Sequence, residues 1–524
     1  MKRIKITLTI LILSLSAYSA QGDLDTTFGN GGKVTTAFGT SFDTANAVAI
    51  QTDGKIVVAG GSYPDSTVND EDIALVRFNT DGTIDTSFGT NGKVLTDIET
   101  FERANAIEIL ADGSILVAGS ISSGLGRFVL AKFTSSGILD GNFGTNGIVQ
   151  TGVANTTFAD LSGEAMTLQS DGKILVAGFL DTSAFGNMSF DFAVARYNSD
   201  GSLDTAFGSQ NGLEYISNGS VSLGRAIALQ TDGKIVIVGE TGSSGKDFMV
   251  VRLNSDGTLD TTFDPTEMDG IVTSNIAADD FPTAVNILQN GKILVSGRSS
   301  GAGGFFSTIL YDTDGSVEIS RSDNLGNSER VSSNAVQIDG KILVVGSSSN
   351  ATSGLDFNII RYNSDLTLDD SLIAGFKISP KITDSLWGTN GVVRTDFSGN
   401  ADFANAVAID SAGRIVVAGS ANNGTDPDFA VARYLNLAPT AASATISGKV
   451  LSPNGRGIPR TIVHLTDQIG NIKTARTNQF GYYRFDDIEV GQTVILNAYN
   501  KQYQFNSQVI NLDDSITGLN IIAQ

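Results

Sequence analysis

The feature that most constrains this chain is an internal repeat. A strand-like block reads "DGKIVVAG" at Asp53–Gly60 and returns as "DGSILVAG", "DGKILVAG", "DGKIVIVG", "NGKILVSG", "DGKILVVG" and "AGRIVVAG". The turn glycines are Gly54, Gly113, Gly172, Gly233, Gly291, Gly340 and Gly413, spaced 59, 59, 61, 58, 49 and 73 residues apart. The period is near sixty, with one shortened and one lengthened unit, and such periodicity marks a chain built by repeating one supersecondary unit.

Each unit holds four strand candidates. In the first they are "NAVAIQ" (Asn46–Gln51), "KIVVAG" (Lys55–Gly60), "DIALVRF" (Asp72–Phe78) and "KVLT" (Lys93–Thr96), with turn signals between them. Strands two and three are apolar at nearly every position, so both of their faces must be covered. A radial stack of four-stranded sheets covers both faces, whereas a sandwich with one wet face would alternate. The 59 glycines and only 8 prolines suit many short strands joined by tight turns.

The third-strand block occurs seven times, ending with "AVARYLN". The fourth-strand block reaches seven only if "LDTTFGNGGKVTT" (Leu24–Thr36), at the start of the repeat region, is counted. The last unit has no fourth strand of its own. The sequence therefore predicts that the orphan half completes the last unit, closing seven blades into a ring. An open solenoid would end in caps instead, and closure pairs edges that would otherwise template aggregation. The expected fold is all-β: a seven-bladed β-propeller closed by the N-terminal strand, followed by a small antiparallel β-sandwich.

The blocks "LDTTFG", "NAVAIQTDGKIVVAG" and "ALVRFN" resemble the delta-60 repeats of secreted bacterial proteins, over roughly Leu24 to Asn436. The resemblance implies a β-propeller and brings no assigned reaction. Units five and six depart most: one carries "GGFFSTILYDTDGSVEIS", the other an insertion before Trp387. Beyond "LNLAPTAAS" the texture changes to about seven short strands. "SGKVLSPNGRGIPRTIVHLTD" and "TNQFGYYRFDDIEVGQTVIL" resemble carboxypeptidase regulatory-like modules, related in fold to transthyretin-like and collagen-adhesin B-type domains. That resemblance implies an appendage without a catalytic zinc site. The expected boundaries are a signal peptide at 1–20, the propeller at 21–436, a linker at 437–444 and the β-sandwich at 445–524.

The signal peptide is read from Lys2, Arg3 and Lys5, the apolar run Ile6–Leu15 and the small residues at Ala17–Ala20. The apolar run is too short to span a bilayer. Secretion, to the medium, the cell surface or the periplasm, is the expected localisation. With no cysteine there is no disulfide framework. A net charge of −22 disfavours nucleic acid, whose affinity comes from cations neutralising phosphates. A monomer without a transmembrane segment is expected.

The chain has one histidine, His464, on a strand of the C-terminal module. Zinc and Ser-His-Asp chemistry would both have to be built on it. The repeated charges carry more information. Asp25, Asp85, Asp140, Asp204 and Asp260 sit in the "LDxxF" blocks, while Arg77, Lys132, Arg196, Arg252, Arg361 and Arg433 share one third-strand position. Copies at matching places in successive units point to structural ion pairs, because a catalytic pair would be unique. No catalytic, cofactor-binding or metal residue is assigned. Turns such as "NTDGTID" (Asn79–Asp85) partly match calcium loops, yet ordinary turns choose the same residues; calcium stays open at this point.

These features favour a non-enzymatic binding or cell-surface interaction scaffold for a glycan or protein. The alternatives are a calcium-stabilised adhesin and a polysaccharide hydrolase or lyase. The last would use two acids outside the repeat positions, drawn from Asp160, Glu164, Asp181, Glu267, Asp269, Asp279 and Asp280. Phe185, Phe190, Phe305, Phe306 and Trp387 are the aromatics that break the pattern and could line a carbohydrate platform.

Overall fold

The computed structural model describes residues 21–64, 70–122, 124–153, 159–183, 189–301, 304–349, 354–369, 387–388, 391–436, 444–466, 472–488, 492–512 and 516–524. The predicted signal peptide, nearly all of the predicted linker, Phe185 and most of the insertion before Trp387 lie outside them. The chain divides into two compact units, 1–436 and 437–524. No helix occurs among the described residues, so none is long and apolar enough to cross a membrane.

Unit 1 contains seven antiparallel four-stranded sheets among its described residues. Sheet 1 comprises Asp43–Ile50, Ile56–Ser62, Asp72–Phe78 and Lys93–Thr96 in that spatial order. Sheets 2 to 6 repeat the pattern over 102–151, 160–216, 222–274, 280–323 and 327–395. Sheet 7 takes three strands from 402–434 and its fourth from Lys33–Thr36, with Lys33 opposite Ala432 and Thr36 opposite Phe429. The first strand of each sheet packs on the first two strands of the preceding sheet, and Asp43–Ile50 packs in the same way on sheet 7.

The second and third strands of sheet 1 are buried at every position, the outcome expected for continuous apolar runs covered on both faces. Their side chains feed hydrophobic clusters shared between neighbouring sheets; Val58, Ala74 and Phe78 of sheet 1, for example, pack with Val416, Phe429 and Val431 of sheet 7. The third and fourth predicted strands of the first unit match the observed ones. The first begins three residues earlier than predicted, at Asp43, because a β-bulge between Ala45 and Ala47 re-aims the strand.

The same bulge recurs in the first strand of all seven sheets. It explains the last glycine of the repeated block. A Cβ on Gly60 would lie 1.9 Å from Thr44 O, and one on Gly419 would lie 1.8 Å from Phe403 O. Only glycine lets the second strand approach the bulged backbone this closely.

Sheet 5 departs from the others. Its fourth strand, Val317–Asp323, is seven residues long and mostly exposed, where the other sheets use four-residue strands. Among the described residues of unit 2, seven strands form a three-stranded and a four-stranded sheet around Ile446, Val463, Phe485, Val494 and Leu512. The module is not wholly antiparallel, which corrects the expectation: Ala444–Leu451 pairs in parallel with Ile521–Ile522.

Candidate ligand-binding site and the ionic framework around it

The predicted charged residues meet in pairs. Arg77 Nε lies 2.8 Å from Asp85 Oδ2, Lys132 Nζ 3.1 Å from Asp140, Arg196 Nε 2.8 Å from Asp204, Arg252 Nε 2.6 Å from Asp260 and Arg433 Nε 2.9 Å from Asp25. The carboxylate's other oxygen closes a turn: Asp85 Oδ1 accepts Ser87 N–H and Oγ–H at 3.1 and 2.6 Å. The arginine's far end reaches the next sheet, Arg77 Nη1 donating to Ser135 O and Arg433 Nη1 to Thr80 O, both at 2.5 Å. The motif's aromatic stacks on the guanidinium, with Phe88 4.6 Å from Arg77 and Phe28 4.5 Å from Arg433.

Two partners were not anticipated. Arg361 pairs with Asp369 at 2.7 Å and stacks on Trp387 at 4.2 Å, so an insertion separates the motif's acid from its aromatic. The lysine of the "DGK" turn is a second cation on the same carboxylate in four sheets, with Lys55, Lys173, Lys234 and Lys341 at 2.9, 2.6, 2.8 and 2.7 Å. Burial pushes the Asp85 and Asp260 carboxyls up. Hydrogen bonds from Ser87 and Lys55, and from Lys234 and Thr262, with the adjacent arginines, outweigh it and hold both well below the usual range.

The bulges build a different site. They project Asn46, Asn105, Glu164, Arg225, Thr283, Ser332 and Asn405, one residue from each sheet, around a cavity of about 450 Å³. Three asparagines stitch sheets together: Asn46 Nδ2 donates to Ala104 O at 3.0 Å, Asn105 to Gly163 O at 2.8 Å and Asn405 to Ala45 O at 2.8 Å. Five charged residues form another part of the wall, beside Phe281, Pro282 and Val331. Arg225 grips Glu240 at 2.8 Å and lies 3.8 Å from Glu164. Burial raises the Glu164 carboxyl, against the opposing charge of Arg225. Arg298 stacks on Phe281 at 4.5 Å and Arg330 on Phe403 at 4.9 Å. Neither arginine has an ion-pair partner among the described residues.

Of the other acids considered for catalysis, only Glu164 lines this cavity. Asp160 accepts Gly126 N–H at 2.7 Å, Asp181 accepts Ser183 N–H at 2.7 Å, Asp279 accepts Lys246 N–H at 3.2 Å and Asp280 accepts Ile276 N–H at 2.7 Å. Glu267 and Asp269 rim a separate groove. Phe306 and Trp387 are core residues, and Phe190 packs edge-on against Phe179. In the "NTDG" turn, Asp81 Oδ1 accepts Thr83 N–H and Oγ1–H at 3.0 and 2.7 Å, the bonding of a turn. His464 is half-buried, 5.0 Å from the Tyr499 ring, and its cross-strand neighbours are Thr474 and Asn497.

Six segments, 51–88, 110–143, 169–207, 230–263, 337–372 and 413–436, match the family described as "Domain of unknown function (DUF5122) beta-propeller". Sheet 5, the one lacking the ion pair, is skipped. Together with the repeated four-stranded sheets, this makes the chain a β-propeller repeat protein. No curated protein matches its sequence. Similar solved structures include a protein of unknown function from Dyadobacter fermentans, at 12% identity and TM-score 0.40, covering 77% of this chain and 97% of that one. Another is PorZ of Porphyromonas gingivalis, described as a surface component of the type-IX secretion system, at 11% identity and TM-score 0.37, covering 94% and 60%. A third is the polysaccharide lyase Uly1, at 12% and 0.38, covering 75% and 90%.

Proposed function

We propose that this is a secreted, non-enzymatic binding scaffold: a closed seven-bladed disc carrying a β-sandwich appendage of the carboxypeptidase regulatory-like kind. Its ligand, an acidic glycan or protein, docks at the cavity where the seven first strands converge. Closure is supported by the pairing of Lys33–Thr36 with Pro427–Tyr434 and by the bond from Asn405 to Ala45. The N-terminal apolar run supports secretion.

One observation carries the ligand reading. Arg298 and Arg330 line the cavity, each laid on an aromatic ring, with no carboxylate bound to them among the described residues. Planar guanidinium groups held by stacking present paired donors suited to carboxylate or sulfate. A hydrolase would need two carboxylates free to act. Here Glu240 is held by Arg225, which leaves Glu164 as the other acid lining the cavity.

The test is a binding screen of the full chain against carboxylate-bearing, sulfated and neutral polysaccharides, with a product assay on every hit. Acidic polymers are expected to bind, weakly at high salt, and Arg298→Ala/Arg330→Ala to lose at least tenfold in affinity with no product formed. Equal binding of neutral polymers, or cleavage of a bound one, overturns the reading.

A further inference from the structure

Seven equivalent junctions separate successive sheets. Each brings together a residue near the start of one sheet's third strand, the residue following its fourth strand and the residue opening the next sheet's first strand. Between sheets 6 and 7 these are Asp356, Asp396 and Asp402; between sheets 1 and 2 they are Asp72, Asp97 and Glu102, joined by Asp70. At the position of Asp97 and Asp396 the other junctions carry Gly152, Ser217, Asn275, Asn324 and Ala37. Acids thus fill the whole set at two junctions only.

The carboxylates converge. One oxygen each of Asp356, Asp396 and Asp402 lies within 4.8 Å of the others, and the same holds for Asp70, Asp72 and Asp97. Ligands about 2.4 Å from a calcium ion are at most about 4.8 Å apart, so these separations are compatible with one shared ion. Arg394, 3.6 Å from Asp356, offsets one charge at the first junction. No basic residue is ion-paired with Asp70, Asp72 or Asp97 among the described residues.

A second observation points to a ligand. Asp402 is 0% exposed; its Oδ2 accepts Phe397 N–H at 2.8 Å, while its Oδ1 accepts no hydrogen bond of good geometry, the nearby Asn422 N–H being given to Ala401 O at 3.3 Å, and its cross-strand neighbour, Ala421, has no side-chain donor to offer. Glu102, also 0% exposed, repeats this: one oxygen accepts Glu99 N–H, Oε2 is unpartnered, and Ile121 stands opposite. In sheet 4 the position is Ser222, hydrogen-bonded to Thr241 across the strand pair at 3.0 Å. Unpartnered carboxylate oxygens also occur at Asp43, Asp280 and Glu329, but no comparable trio of acids gathers there among the described residues. A buried carboxylate oxygen left bare beside further acids is costly unless a cation completes it.

We infer that these two junctions are divalent-cation sites of the calcium class, one held by Asp356, Asp396 and Asp402, the other by Asp70, Asp72 and Asp97 with Glu102 beside them. The all-oxygen donor set selects a hard cation, with water and backbone oxygens filling its usual six to eight positions. The ion would pin each pair of sheets at the start of the incoming strand. This assignment is independent of the ligand at the central cavity.

Isothermal titration of calcium into the chelator-stripped full chain tests it. Two saturable equivalents are expected, with a melting temperature that rises as they fill. Asp396→Asn keeps the acceptor for Ser398 and Gly399 N–H, at 3.0 and 2.6 Å, while removing the charge; it should abolish one equivalent, and Asp97→Asn the other. In chelator the double variant should melt at or above the wild-type temperature, because like-charge repulsion has been relieved, and this shows that it folds. Asp81→Asn, in a turn, should leave the stoichiometry at two. The inference fails if no saturable binding occurs, if the double variant still binds two equivalents, or if Asp81→Asn removes one.

Discussion

Arg433 Nη2 lies 2.8 Å from Asp25 Oδ2, across 408 residues of sequence. Both groups are buried, and the pair copies the one that Arg77 and Asp85 make within a single sheet. Asp25→Ala would leave a buried guanidinium without its carboxylate, at a cost of about 3–5 kcal/mol. Sheet 5 supplies the contrast: Leu310 pairs with Leu294 where Arg433 pairs with Val416, so an apolar residue fits this position. The double variant Asp25→Thr/Arg433→Leu should therefore lose less stability than Asp25→Ala in chemical denaturation. An equal or larger loss would show that the charge itself is indispensable.

The bulge makes a sharper prediction about glycine. Gly419→Ala places a Cβ 1.8 Å from a backbone carbonyl that cannot turn aside, whereas Gly399, at φ +81°, has nothing within 4 Å of its would-be Cβ. Gly399→Ala should cost about 1 kcal/mol through backbone strain. Gly419→Ala should cost about 3 kcal/mol or more, because the first strand must move. Melting temperatures of the two variants, compared side by side, check the order.

Two populations of acids give opposite pH dependence. Asp25, Asp85, Asp204 and Asp260 have lowered carboxyl pKa values in the fold. The unfolded chain therefore binds protons first, and their stabilisation, complete at neutral pH, is lost as pH falls below the ordinary value of 3.8. Glu329 runs the other way. Burial pushes it up to about 7, against the Leu325 and Gly326 N–H groups that donate to its Oε1 and the charge of Arg394. Between its ordinary value of 4.5 and about 7 the folded state holds the extra proton, so stability declines as pH rises through that window. With chelator present, Glu329→Gln should be more stable than wild type at pH 8 and equal to it at pH 4. A constant offset at both would remove Glu329 as the source.

What the sequence displayed was whatever the units share. The "LDxxF" acids and third-strand cations stood out because both partners recur at fixed spacing, and continuous apolar strands announced sheets covered on both faces. Asp369 was hidden because an insertion splits its motif from Trp387. The cavity residues were hidden for a deeper reason: a bulge adds one residue without a compositional mark, and Asn46, Glu164, Arg225 and Thr283 share a place in the fold but no chemistry. Their signal is the variable residue directly before the alanine of "AVAIQ" in six units and before Ser333 in the sixth, visible only once the repeats are superposed. The acid trios join residues 25 or more positions apart in sequence, from different strands and the segment after a fourth strand, so no short motif contains them.

Trp387 offers the last prediction, since it is the chain's one tryptophan and is fully buried. It occupies the place that Phe28, Phe88, Phe207 and Phe263 hold in other sheets, stacked on an arginine. Its Nε1 has no hydrogen-bond partner among the described residues. Trp387→Phe loses some area and some cation–π attraction but removes a buried unpaired donor, so the terms offset and stability should change by less than about 1.5 kcal/mol. Trp387→Ala should cost about 3–5 kcal/mol, because the ring packs with Phe357, Val393 and Ala430 and leaves a cavity when truncated. Wild-type emission should be blue-shifted and report sheet 6 alone. If unit 1 unfolds cooperatively, its fluorescence transition in guanidinium coincides with the loss of β-sheet circular dichroism; an earlier fluorescence transition would mean that sheet 6, interrupted by its insertion, opens before the rest.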